Sequence, residues 1–110
     1  MTLEKIELNI AKDFSETPGP RKREEGEFSG EEFLERVLRP RFEAAVATSC
    51  VLHVNLDGAA GYPTSFLEAS FGGLARQFGP PHVLAHLELT CTDEPYLEEE
   101  IRKYILEAKN

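Results

Sequence analysis

Ser65, with Thr64 before it and Glu68 three residues after it, has the surroundings in this 110-residue chain that most suggest chemistry. It stands in Gly61–Arg76, GYPTSFLEASFGGLAR. A hydroxyl at a helix start can carry a phosphoryl group, because first-turn amides and the helix dipole favour an anion there. The added charge would repel Glu68 and Asp57 and open the local surface. The Ser-x-x-Glu spacing is also a capping box, in which the serine oxygen and the glutamate satisfy first-turn donors, so Ser65 is expected to cap a helix. Such a cap contributes on the order of 1 kcal/mol. Ser65 and Thr64 are therefore the candidate phosphoacceptors. Asp57, Gly58, Gly61, Tyr62, Phe66 and Glu68 make up the candidate partner or ligand surface, with a nucleotide or metabolite at the strand end as the alternative occupant.

Other chemistries find less support. "DGAAGY" and "FGGL" lack the lysine and hydroxyl that follow the last glycine of a P-loop. Neither Ser65 nor Ser70 sits in a nucleophile-elbow pattern. His53, His82 and His86 fall in strand-like stretches and form no helical metal pair, so no metal and no cofactor is expected. Cys50 and Cys91 are far apart in apolar stretches and read as buried, reduced thiols.

The elements that must position Ser65 follow from periodicity. Ile6, Leu8 and Ile10 alternate with polar residues as a half-buried strand does. The Pro-, Gly- and charge-rich stretch over residues 13–29 reads as an exposed loop, with a short strand near Arg21 to Glu27. Ser29 with Glu32 is another capping box, opening a helix from Gly30 to Ala47 whose inner face includes Phe33, Leu34, Val37, Leu38, Phe42 and Ala45. Pro40 predicts a kink or break near Leu38 to Arg39. Cys50 to Asp57, CVLHVNLD, reads as a central strand buried on both faces. Leu67, Phe71, Leu74, Ala75 and Phe78 mark a second helix, stopped by Gly79-Pro80-Pro81. Its Gly72-Gly73 pair predicts close internal packing. HVLAHLELTC, residues 82–91, is a third strand. Asp93 or Glu94 then caps a helix with Pro95 in its first turn and an inner stripe of Tyr96, Leu97, Ile101, Tyr104, Ile105 and Ala108.

Strands alternating with helices imply an α/β domain with a mainly parallel or mixed sheet of about four strands and about three helices packed against it. Sites in such sheets form beyond the carboxyl ends of the strands, which brings Asp57 and the start of the Ser65 helix together. One domain spanning residues 1–110 suits the length. The net charge of −8 argues against nucleic acid as the main partner. Without a leader-like or membrane-length apolar run, the expected location is cytoplasmic, away from membranes.

"DFSETPGPR", "EGEFSGEEFLERVLRP", "VNLDGAAGY" and "SFLEASFGGLAR", in this order, resemble the bacterial STAS-like domain family of unknown function. The resemblance runs from about Ile6 to Phe78. It implies a fold similar to that of sulfate-transporter and anti-anti-sigma-factor (STAS) domains, and a non-enzymatic, signalling type of module. In anti-anti-sigma proteins a serine at the start of the helix after the central strand is phosphorylated by a partner kinase, which releases a bound protein. By position that serine corresponds to Ser65. The resemblance thus implies a protein partner, with a histidine-kinase-like ATPase as its candidate. Where those proteins carry an Asp-Ser-Ser-Gly type of stretch, this chain has Pro63-Thr64-Ser65-Phe66.

Overall fold

A computed structural model describes residues 4–108. The chain opens with strand β1, Lys5–Asn9. The Asn9 side chain then accepts from the Lys12 amide at 3.0 Å and starts the one-turn helix α1, Ile10–Asp13. Strands β2, Val51–Asn55, and β3, Leu87–Thr90, complete a parallel sheet in the order β1-β2-β3. Among the described residues the sheet has three strands, not four. The segment expected to supply the fourth, Arg21 to Glu27, contains only a 3₁₀ turn at Arg23–Glu25. Its flanking backbone bonds tie the loop to itself and to the next helix: Gly19 N donates to Phe28 O at 2.8 Å and Gly30 N to Pro20 O at 2.8 Å. The segment's own amides are also used locally, Lys22 N on Glu25 Oε1, Arg23 N on Glu31 Oε1, Glu25 N on Lys22 O and Gly26 N on Arg23 O, so it has little left to offer a sheet edge.

The central strand differs from its expectation. Leu52 and Val54 are buried, but Val51, His53 and Asn55 alternate with them and are only half-buried. One face of the sheet, carrying Leu8, Leu52, Val54 and Leu89, meets the core. The other bears polar residues, with Lys5 and Glu88 paired at 2.8 Å. A single covered face follows from connections between neighbouring strands that all cross on one side.

Helix α2 runs through residues 30–47 and α3 through residues 64–78; α4 is Pro80–Ala85 and α5 is Tyr96–Glu107. Pro40 does not break α2. A π-turn at Leu34–Leu38 lies just before it, where the Arg39 amide reaches back to Leu34 O. Widening the turn relieves the crowding that a proline ring imposes on the preceding carbonyls. Helix α3 has a second π-turn at Glu68–Gly72, and the buried Ser70 hydroxyl donates to Phe66 O at 2.8 Å within it.

Two further expectations are corrected. Residues 82–85, expected to start the third strand, belong to the helix Pro80–Ala85, because Pro80 and Pro81 occupy first-turn positions that need no donor and the Val83 amide bonds to Gly79 O. His82 therefore sits on α4 and His86 at its end. Helix α5 starts after Pro95 with no side-chain cap; neither Asp93 nor Glu94 serves that role. Leu97, Ile101 and Ile105 form its buried stripe, while Tyr96 is 56% exposed.

The core gathers Phe33, Phe42, Phe66 and Phe71 with the inward leucines and isoleucines. Phe33 lies 5.1 Å from Phe14 and 5.5 Å from Phe66 between ring centroids. At this crossing α2 and α3 touch backbone to backbone: a methyl group on Gly30 would stand 2.6 Å from Phe66 O. Cys50 and Cys91 are buried free thiols.

Candidate functional site

The carboxyl ends of β2 and β3 are joined in a rim through Asp57, Thr92 and Asp93. Beyond β2 the Asp57 carboxylate accepts from the Thr92 amide at 2.8 Å and the Asp93 amide at 2.9 Å, and the Thr92 hydroxyl also donates to it. The Asp93 carboxylate in turn accepts from Gly58 N at 3.3 Å. These donors, the Asp93 amide first, hold the Asp57 carboxyl below its usual range. Gly58, at φ +97°, turns the chain in the region that favours glycine. Ala60 N donates to Glu16 O at 2.8 Å, and the Tyr62 hydroxyl donates to Leu56 O at 2.7 Å. Burial pushes the Tyr62 phenol well above its usual range, so it stays protonated and keeps that bond. The loop between β2 and α3 is thus fixed from several sides while Gly58, Ala60, Pro63 and Thr64 remain exposed. Gly61 has open space around its Cα.

Ser65 is not the cap. Helix α3 starts at Thr64 with Pro63 as its extended N-terminal neighbour, and no side chain caps it. Pro63 O receives the Phe66 and Leu67 amides at 3.1 and 3.2 Å, and the Glu68 amide already bonds to Thr64 O and Ser65 O. The donors that a Ser65 cap would satisfy are therefore taken. Ser65 is half-buried in the first turn, and Thr64 is the exposed hydroxyl there.

Two members of the proposed surface lie elsewhere. Phe66 is fully buried against Phe33 and Tyr62, so it belongs to the core. Glu68 points to the outer side of the helix pair, where Arg76 at 2.7 Å and Arg21 both pair with it and hold its carboxyl below the usual range. A cavity of about 450 Å³ lies on that same side, lined by α2, α3 and the Arg21 loop rather than by Asp57, Gly61 or Thr64.

Periodicity gave no sign of a chain of polar groups on the open sheet face. Glu7 Oε1 lies 2.6 Å from His53 Nδ1, and His53 Nε2 lies 2.7 Å from Thr90 Oγ1. An acid, imidazole and hydroxyl in this order form the relay of nucleophilic hydrolases, which also need a pocket and donors for an oxyanion. Here they lie on the open face of the sheet, on three neighbouring strands that pair with one another. Parallel registry, which puts Glu7 opposite His53, is the signal that would have revealed them. His82 and His86 do meet, with ring centroids 5.1 Å apart, but beside Phe42 rather than beside further ligands. No group of three or more metal-ligating side chains occurs among the described residues, and no helix among them is long and apolar enough to cross a membrane.

No curated protein and no solved structure matches this chain significantly. A family profile described as a STAS-like domain of unknown function does match it, over residues 29–97. The match starts at the Ser29 cap and takes in α2, β2, α3, α4, β3 and the loops at the strand ends, leaving β1, α1 and the loop before Ser29 outside it. It covers more than half of the sequence, and the chain belongs to that family of STAS-like domains.

Proposed function

We propose that this protein is a non-enzymatic interaction module that binds a protein partner through the strand-end loop, residues 58–64. What carries this reading is the fixed loop. Bonds donated to Glu16 O, Leu56 O and the Asp93 carboxylate hold its backbone or flanks, yet Gly58, Ala60, Pro63 and Thr64 stay exposed. A surface ordered before binding loses less conformational freedom on association, so modest contacts suffice. Exposed loops on a rigid scaffold are also where binding residues concentrate.

Control by phosphorylation belongs to the same proposal, with Thr64 favoured over Ser65 because Thr64 is exposed and Ser65 is half-buried. A phosphate on Thr64 would sit at the start of α3, where the helix dipole favours it, and would place negative charge at the end of the loop. The candidate partner is a histidine-kinase-like ATPase, supported by the likeness to anti-anti-sigma domains.

The test is an NMR titration of the labelled protein with such an ATPase, followed by incubation with ATP and mapping of any modified residue. Shifts concentrated on residues 57–64 and weakened in a Thr64→Asp variant are expected. Shifts centred on the open sheet face, or unchanged binding by Thr64→Asp, would contradict the proposal.

A further inference from the structure

The outer side of the helix pair carries charge of the opposite sign to the chain as a whole. Leu34, Ala69 and Gly73 floor the open cavity of about 450 Å³, and Arg21, Lys22, Arg39 and Arg76 stand around it with Glu31 and Glu35. With Glu68 at the edge and Arg23 behind Glu35 included, five cations face three carboxylates, a local excess of two positive charges in a protein of net charge −8. Both carboxylates are already engaged: Glu31 accepts from the Arg23 amide at 2.9 Å, and Glu35 faces the Arg23 guanidinium at 3.4 Å. Lys22 and Arg39 have no ion-pair partner among the described residues. Glu68 already offsets Arg21 and Arg76, so the charge left for an incoming anion is that of Lys22 and Arg39.

The glycine pair shapes one wall. Glu68, Gly72 and Arg76 follow one another at four-residue steps along a single stripe of α3. With no side chain at Gly72, Glu68 and Arg76 meet above the helix at 2.7 Å. A methyl group on Gly72 would lie 2.7 Å from Glu68 Oε2 and 3.5 Å from Arg76 Nη1. Gly73 admits Leu34 in the same way, its added methyl group standing 2.7 Å from Leu34 Cδ2. Glu68 also receives Arg21, so one carboxylate fixes two guanidiniums at the edge of the cleft. Each keeps further N–H donors free, since a guanidinium carries five.

We propose that this cleft binds a small organic phosphate, with its phosphate among Lys22, Arg39 and the two fixed arginines and its carbon body on the Leu34, Ala69 and Gly73 floor. A phosphomonoester carries roughly −1.5 to −2 charges at neutral pH, which matches the excess of the lining. Guanidiniums recognise phosphate oxygens in pairs. The volume falls in the range of small-molecule sites, roughly 300–1,000 Å³. None of the lining residues belongs to the strand-end loop, so the proposal stands apart from the partner surface above.

The full chain, labelled with ¹⁵N, is titrated separately with phenyl phosphate, phenol and inorganic phosphate. Phenyl phosphate is expected to shift the amides of Arg39, Ala69, Gly73 and Arg76 saturably, with phenol and inorganic phosphate each at least about tenfold weaker, since each forgoes one half of the contacts. A Lys22→Gln, Arg39→Gln double variant, altering two side chains outside the core, is expected to keep the remaining spectrum and lose about tenfold or more in affinity for phenyl phosphate. Absent shifts, shifts confined to residues 57–64, undiminished binding by the double variant, or inorganic phosphate binding as tightly as phenyl phosphate would each overturn the proposal.

Discussion

The two long helices start from the same pattern and use it differently. Ser29 and Ser65 are each followed three residues later by glutamate, each helix carries a five-residue π-turn beginning at its fifth residue, and the two cross at Gly30 and Phe66. Ser29 is buried and its hydroxyl accepts from the Glu32 amide at 3.0 Å. Ser65 accepts nothing of the kind, because Pro63 begins α3 earlier and the Glu68 amide is already bonded. Neither glutamate closes a box: Glu32 pairs with Arg36, and Glu68 with Arg21 and Arg76. A capping pattern therefore identifies a helix start to within a turn, and the backbone upstream decides which residue does the capping. At α2 the serine is structural. At α3 the first turn is left with an exposed hydroxyl, Thr64, beside a fixed loop.

The crossing that the two helices share offers the largest effect. Phe66→Ala empties a fully buried site against Phe33 and Tyr62, and chemical denaturation is expected to show a loss of roughly 3–5 kcal/mol. A loss near zero would return Phe66 to the surface assigned to it by sequence reasoning. The helix starts themselves separate next. Ser29→Ala is expected to cost about 1 kcal/mol by the same measurement, and Ser65→Ala to stay within about 0.5 kcal/mol of wild type. Equal losses would mean that both serines cap.

The smallest effect lies at the strand end. Asp57 has a folded pKa below its unfolded value, so the stability it contributes is complete above the unfolded carboxylate range, near 4, and fades as pH falls through the folded value. Asp57→Asn is expected to be less stable than wild type at neutral pH, with the gap narrowing in acid. A gap independent of pH would show that the carboxylate charge is not what holds Thr92 and Asp93.

Much of this architecture was legible in the sequence. Alternation located β1, and the apolar spacing located α2, α3 and the buried stripe of α5, because periodicity reports which side of an element is covered. What escaped depended on neighbours distant in sequence. CVLHVNLD reads as buried on both faces because His53 and Asn55 look like interruptions, when they are the open face of a sheet whose helices all lie on the other side. Pro80 and Pro81 read as helix stops, though they serve equally as a helix start. The basic cleft was hidden by the net charge: Arg21, Arg39 and Arg76 are far apart in the chain and converge only when α2 and α3 pack. Gly72-Gly73 signalled close packing, and the structure adds that Gly72 makes room for an ion pair along its own helix.

Native-state hydrogen exchange at the Ala60 amide tests the order of the strand-end loop most directly. That amide donates to Glu16 O at 2.8 Å, between the anchors at Asp57 and Tyr62. Its exchange is expected to be slowed well below the rate of an unstructured peptide in the free protein, and to quicken in Asp57→Asn. Exchange of the wild-type amide at the unstructured rate would contradict a loop ordered before any partner arrives.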